Sequence, residues 1–176
     1  MTILNIVPEC FVDTKIAEIL GQAKKYNHQH GCGDVANELK NRHQNNFALG
    51  IVDEDKNKGP QAKYFSEFVI IAEENNLILK KHIHNKHYLI LICPEIEKWL
   101  LADSEKVKIN PANKNYNLPE ELKDFVQKTK IQNIEKNEGF KRFIKDLVKE
   151  NAPSITTLKR WIELFNKHQL DSLIKK

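Results

Sequence analysis

The chain has 176 residues, of which 40% are hydrophobic and 30% charged, a size and composition typical of one globular domain with room for a small appendage. Its 28 basic and 24 acidic residues give a net charge of +4, which allows a polyanionic partner without requiring one. The longest apolar run covers residues 88–93 and is far shorter than the roughly 20 residues that a membrane span needs, so we expect no membrane association.

The three cysteines argue for a reducing compartment. Cys10, Cys32 and Cys93 make an odd number and include no CxxC pair, which disfavours both a disulfide framework and a structural zinc site. The N-terminus shows no basic segment in front of an apolar stretch, so we expect no signal peptide. Together these features predict a cytoplasmic protein.

Short apolar runs alternate with segments of helical spacing along the first hundred residues. The predicted strands cover residues 3–7, 47–52, 77–83 and 88–93; the last two form either a hairpin or a pair of which only the second joins the main sheet. Residues 26–33 are polar and are expected to form a loop or a weak edge strand. Asp13 or Thr14 is predicted to cap the first helix; further helices are predicted to begin at Asp34 and at Pro60, and another to cover residues 95–102.

The last third of the chain is predicted to be helical, over residues 120–128, 139–150 and 154–167, after a surface excursion at 104–118. Strands that alternate with helices indicate an α/β fold with a mostly parallel sheet and helices on both faces. We therefore predict an α/β core over residues 1–103 and a helical extension over residues 104–176 that packs on it. In such sheets a site lies beyond the carboxyl ends of the strands.

Carboxylates follow the predicted strands at the points where these end. Glu9 follows the first strand, Asp53 and Asp55 follow the strand at 47–52, and Glu97 lies shortly after the last one. In a doubly wound sheet, the first three of these carboxylates would converge and repel one another. A divalent cation relieves such repulsion, and Mg²⁺ prefers carboxylate oxygens together with water and phosphate. The pattern predicts a Mg²⁺ or Mn²⁺ site.

Two segments together resemble the signature of TOPRIM domains, in which a Glu ends the first strand and Asp-x-Asp ends the third. They are IVPECFVD at residues 6–13 and LGIVDED at residues 49–55. A third segment, CPEIEKWLL at residues 93–101, resembles the Asn-Pro-x-Phe-Glu-x-Trp-Leu-Leu element of RloB-like TOPRIM proteins. The resemblance covers about residues 3–102 and implies a TOPRIM-like fold akin to nucleases of the overcoming-lysogenisation-defect class.

The resemblance implies a metal-dependent endonuclease that acts on DNA or RNA. Glu9 would be a metal ligand or general acid/base, Asp53 and Asp55 would be metal ligands, and Glu97 would be a supporting acid. Relatives of this kind accompany bacterial defence loci, which implies an anti-phage context with an ATPase or another defence-system protein as a candidate partner. The chain departs from the pattern at Cys10, where many members carry the glycine of a tight turn.

Lysines are the expected contacts for the phosphate backbone. Two of them follow the acids directly, and three interleave with histidines in the segment 80–87, which we expect to be an exposed basic hairpin that holds phosphate if it lies near the acidic pocket. The predicted nucleic-acid-binding residues are Lys56, Lys58, Lys80, Lys81 and Lys86.

Two other functions fit parts of the pattern. A TOPRIM-like domain that has lost its chemistry would bind nucleic acid or protein only, and Cys10 favours this alternative. A receiver-like phosphoacceptor domain would also place an Asp at the position of Asp53, but the chain offers no Ser, Thr or Lys at the expected places after the next strands.

Overall fold

The computed structural model describes residues 5–21, 26, 28–54, 63–130 and 134–174. Within these residues the strands are β1 (Ile6–Pro8), β2 (Ala48–Asp53), β3 (Phe68–Glu74), β4 (Leu77–His82) and β5 (His87–Ile92). The helices are α1 (Phe11–Gly21), α2 (Cys32–Arg42), α3 (Ile96–Lys106), α4 (Leu122–Thr129), α5 (Glu138–Lys149) and α6 (Pro153–Asn166). Short 3₁₀ turns are Lys63–Glu67, Ile134–Lys136 and Leu170–Leu173.

The strands form one sheet in the order β1-β2-β5-β4-β3. β1, β2 and β5 are parallel, whereas β4 runs antiparallel to both β5 and β3. The predicted α/β class is therefore confirmed, but the sheet is mixed: its parallel part comprises three strands, and an antiparallel hairpin supplies the other two. The segments at 77–83 and 88–93 do pair with each other, as one of the two predicted arrangements requires.

The prediction of a helix that begins at Pro60 is wrong over residues 68–72, because these residues belong to strand β3. Val69, Ile70 and Ile71 are β-branched and suit an extended backbone better than a helix. Asn75 and Asn76 both have positive φ, 48° and 59°, which is the geometry of a tight two-residue hairpin turn. The apolar spacing that suggested a helix belongs partly to the preceding turn, where Phe65 is buried.

Helices cover both faces of the sheet, as predicted. On one face α2 packs so closely that a Cβ on Gly50 would lie 3.1 Å from the side chain of Val35 and 3.2 Å from that of Leu39. The opposite face carries the larger apolar cluster, to which α1, α3, α5 and α6 all contribute. A side chain at position 50 would push these neighbours aside by a few tenths of an ångström, so the close approach favours glycine.

The helices that follow residue 106 share the core of the sheet. Phe125, Phe143 and Trp161 are fully buried in the same apolar cluster as Ile51 on β2. Among the residues that the structure describes, no helix combines the length and apolarity needed to cross a membrane.

Candidate functional site

The carboxyl ends of β1 and β2 lie side by side and open into a pocket of about 210 Å³. Acidic residues from the sheet edge and from α3 line one part of the pocket, and the end of α4 lines another. The polar residues of the wall are Glu9, Asp53, Glu95, Glu97, Thr129 and Lys130. The fold thus brings together three of the four predicted catalytic residues.

Glu9 and Asp53 are linked directly. The backbone N–H of Asp53 donates a hydrogen bond to Glu9 Oε2 at 3.0 Å, and the N–H of Glu9 donates to the carbonyl of Ile51 at 2.9 Å. These bonds hold the Glu9 carboxylate against the end of β2. Asp53 ends the second strand rather than the third, because the described residues between 26 and 33 form no strand.

Glu97 connects the pocket to the helical extension. It lies in the first turn of α3, is 8% exposed, and accepts a hydrogen bond of 2.6 Å from the hydroxyl of Thr129. Thr129 is the last residue of α4, so this bond fixes α4 at the edge of the pocket. Sequence reasoning expected Glu97 near the other acids but not its partner, which comes from a distant segment.

Asp13 is an acidic residue next to the pocket that sequence reasoning placed only as a helix cap. Helix α1 instead begins at Phe11, and the thiol of Cys10 accepts the N–H of Asp13 at 3.5 Å. Asp13 is 2% exposed, so its carboxyl group is withdrawn from water. Its position on the same helical side as Ile16 and Ala17 was the signal for burial.

Burial raises the pKa of Asp13 to about 7, and the charges of Glu9 and Glu97 add to this increase, which the adjacent Cys10 thiol partly offsets. Near neutral pH this carboxyl can therefore hold or release a proton. Burial likewise raises the pKa of the Cys10 thiol, and the Asp13 charge adds to it, so the thiol stays protonated.

Cys10 does not distort the turn after β1. Its φ lies outside the left-handed region, so the backbone here makes no demand for glycine. The cysteine therefore has no conformational cost at this position.

The predicted lysine contacts lie away from the pocket or outside the described residues. Lys56 and Lys58 lie outside the described residues, as does the predicted metal ligand Asp55. In the register of the sheet, Lys81 on β4 lies opposite Tyr88 on β5, and Tyr88 lies opposite Leu49 on β2. Leu49 precedes Asp53 by four residues, so Lys81 is roughly 13 Å from Asp53 along the strand direction.

The hairpin around Lys80, Lys81 and Lys86 therefore points to the end of the sheet opposite the acids. Its predicted phosphate contacts depended on a position near the acidic pocket, and the hairpin does not lie there. Lys81 instead forms an ion pair of 2.6 Å with Asp171. The ring of His87 is held between the Tyr64 hydroxyl, at 2.7 Å, and the carbonyl of His43, at 2.8 Å, so this histidine stabilises the fold.

Lys130 is a basic residue of the pocket that sequence reasoning missed. It follows α4 directly and is exposed at the rim. No local pattern distinguishes it from the many other lysines of the helical extension, because only the packing of α4 against α3 brings it to the acids.

The acidic wall offers the hard oxygen donors that Mg²⁺ and Mn²⁺ prefer. Within the described residues no three His, Cys, Asp or Glu side chains are close enough together to hold a metal ion as they stand. The third predicted ligand, Asp55, lies outside these residues.

The chain matches no protein-family model, and neither a curated protein nor a solved structure resembles it significantly.

Proposed function

We propose that the chain is a metal-dependent nuclease that hydrolyses phosphodiester bonds in DNA or RNA. The observation that carries the proposal is the hydrogen bond between the Glu9 carboxylate and the backbone of Asp53, at the carboxyl edge of two adjacent parallel strands. It sets the two acids of the TOPRIM-like pattern on one pocket, where α/β sheets place their ligands.

In this proposal Glu9, Asp53 and Asp55 hold Mg²⁺ or Mn²⁺. When bound, such a cation supplies the charge that activates water and offsets the negative charge that develops on the phosphate. Glu9 is kept in position by its two backbone hydrogen bonds. Glu97 is kept in position by Thr129, and supports the acidic wall from the side of α3.

Lys130 supports the choice of a phosphate substrate. A pocket with four carboxylates repels a polyanion unless cationic groups compensate, and Lys130 supplies one positive charge at the rim. A lysine attracts phosphate through charge without reading the base sequence. DNA and RNA are both compatible with this arrangement.

The TOPRIM-like resemblance also supports a role in anti-phage defence, with an ATPase or another defence-system protein as partner. This part of the proposal rests on the sequence segments alone. Co-purification of the chain with the products of its neighbouring genes would test it.

Replacement of Asp53 tests the proposed chemistry. We expect Asp53→Asn to lower Mg²⁺- or Mn²⁺-dependent cleavage by orders of magnitude, because the change removes a ligand charge but keeps the shape. Asp55→Asn should act similarly. Nucleic-acid binding should persist and should still weaken with salt, since the positive charge of Lys130 at the rim is unchanged.

Glu54→Gln is the matched control, because it removes the same charge from the adjacent residue, which does not line the pocket. Cleavage of labelled single- and double-stranded DNA and RNA is followed on gels, with EDTA as the metal-free reference. An Asp53→Asn variant that cleaves as well as wild type would exclude Asp53 from the catalytic site.

A binding module without chemistry is the second candidate. The observation in its favour is that the described acids do not form a three-donor metal site by themselves. A wild-type chain that binds nucleic acid but cleaves none with either metal, alone or with its gene neighbours, would favour this candidate. Labelling of Asp53 by acetyl phosphate would instead indicate a receiver-like phosphoacceptor.

A further inference from the structure

Three aromatic rings cluster on the surface beside the carboxylate pocket. Phe11 and His28 are stacked, with ring centroids 3.8 Å apart and an interplanar angle of 20°. His28 meets His30 edge to face at 4.5 Å. Phe11 is 37% exposed, whereas its neighbour Val12 is 3% exposed, so the start of α1 holds an apolar ring out of the core.

The ring cluster borders the proposed active site. It lines a second concavity of about 290 Å³, and Glu9, Cys10 and Phe11 line both this concavity and the carboxylate pocket. The loop that carries the histidines is fixed to the sheet, since the N–H of Gln29 donates to the carbonyl of Pro8 at 3.0 Å. The rings and the acids thus lie together at the carboxyl end of β1.

A metal site does not account for these histidines. Together with the nearby Cys10 and Glu9 they offer donor atoms, yet no group of three such residues in the described ranges is placed to hold a metal ion. Packing into the core leaves part of the group available to a ligand, since Phe11 remains 37% exposed. A planar ligand that stacks on the rings fits their chemistry.

We propose that the ring cluster of Phe11, His28 and His30 binds an unpaired nucleobase of a single-stranded nucleic acid, next to the phosphate that enters the carboxylate pocket. The inference rests on the proposed nuclease function for the position of that phosphate. Every base has an aromatic face, so stacking on such rings attracts a strand without sequence preference. Stacking also needs no positive charge, and so it provides affinity beside an acidic wall that repels phosphate.

The test measures binding apart from cleavage. Wild-type chain and the variant Phe11→Ala are titrated in EDTA with fluorescent single-stranded oligonucleotides of DNA and RNA, an abasic oligomer of the same length, a duplex and adenosine monophosphate. We expect Phe11→Ala to weaken binding of the single strands about 5- to 100-fold, with little effect on the abasic oligomer or the duplex. Phe11→Trp keeps a stacking surface and should restore binding to within about threefold of wild type.

Several outcomes would overturn the base site. One is a Phe11→Ala variant that binds single strands like wild type. Another is a wild-type chain that binds no single strand, or that binds abasic and base-containing oligomers equally well. A third is competition by adenosine monophosphate that is as strong as competition by an oligonucleotide. The last result would assign the rings to a free nucleotide. If Phe11→Ala does not fold, His30→Ala serves instead, because His30 is exposed and lines the same concavity.

The same titration separates this inference from the proposed nuclease. Asp53→Asn should keep its affinity for single strands while it loses cleavage. Base-dependent binding that Phe11→Ala abolishes, in a wild-type chain that cleaves nothing with either metal, would support the base site and reject the nuclease. Cleavage that depends on Asp53, with no effect of Phe11→Ala on binding, would do the reverse.

Discussion

Asp13 shows how burial changes the chemistry of one carboxyl. An acid on the apolar side of α1 loses its contact with water, and the loss disfavours its charged form. The folded chain therefore holds a proton on Asp13 at pH values where the unfolded chain, with a pKa near the ordinary 3.8, has released it. Folding and protonation are coupled at this residue.

The sign of this coupling gives a prediction for the metal-free protein. Below pH 3.8 both states are protonated; between 3.8 and about 7 the folded state binds more protons, so stability falls as the pH rises through this range. Asp13→Asn is neutral at every pH and should remove this decline. At pH 8 in EDTA we expect the variant to be more stable than wild type by about 1–4 kcal/mol, measured by urea denaturation.

Asp34→Asn is the control for this prediction. Asp34 also lies in the first turn of a helix, α2, but it is exposed. Its replacement should change stability by about 0.5 kcal/mol or less and should leave the pH dependence unaltered. Equal slopes between pH 4 and 7 for wild type and Asp13→Asn would contradict the raised pKa of Asp13.

At the scale of elements, α6 depends on a partner far away in the chain. Its first residues have no side-chain cap of their own. Asp103 on α3 is completely buried and takes that role: its carboxylate accepts the N–H of Ser154 at 3.2 Å, the hydroxyl of Ser154 at 2.6 Å and the N–H of Ile155 at 2.9 Å. A carboxylate at a helix N-terminus also interacts favourably with the helix dipole.

Loss of this cap should weaken the whole fold. We expect Asp103→Ala to lower the free energy of unfolding by about 2–4 kcal/mol, because three buried donors lose their acceptor. Asp124→Ala, at an exposed site in the first turn of α4, should change it by about 0.5 kcal/mol or less. Thermal and urea denaturation measure both, and equal effects of the two changes would show that Asp103 does not anchor α6.

At the scale of the molecule, the helical extension and the sheet share one apolar core. Trp99 on α3 and Ile16 on α1 are buried in the same cluster as Phe143 and Trp161. A chain without α4, α5 and α6 would expose these apolar surfaces of α1 and α3 to water. Apolar burial is the main favourable contribution to folding, so the extension supports the core that it covers.

A truncated chain tests whether residues 1–103 are independent. We expect the fragment 1–109, which keeps α3 intact, to show no cooperative thermal transition and to bind the dye ANS, unlike the full chain under the same conditions. It should also lose the pocket wall that Thr129 and Lys130 provide. A fragment that unfolds cooperatively near the temperature of the full chain would establish a separate 1–103 domain.

The sequence by itself determined the local structure wherever one residue pattern had one physical solution. The continuous apolar run at 47–52 predicts a buried strand, observed as β2, and the helical stripes after residue 120 predict α4, α5 and α6. The positions of Glu9 and Asp53 at strand ends also follow from the chain alone. Their proximity follows once the two strands are parallel, because parallel strands end at the same edge.

Only the tertiary structure decided which distant segments meet. The mixed spacing at 65–72 is compatible with a helix or a strand, and pairing with β4 selects the strand. Thr129 and Lys130 reach the pocket, and Asp103 reaches α6, through packing between α3 and the extension, which no local spacing encodes. Local propensities are worth less than about 1 kcal/mol per residue, whereas burial of a side chain contributes about 1.5–3 kcal/mol, so the shared core determines these contacts.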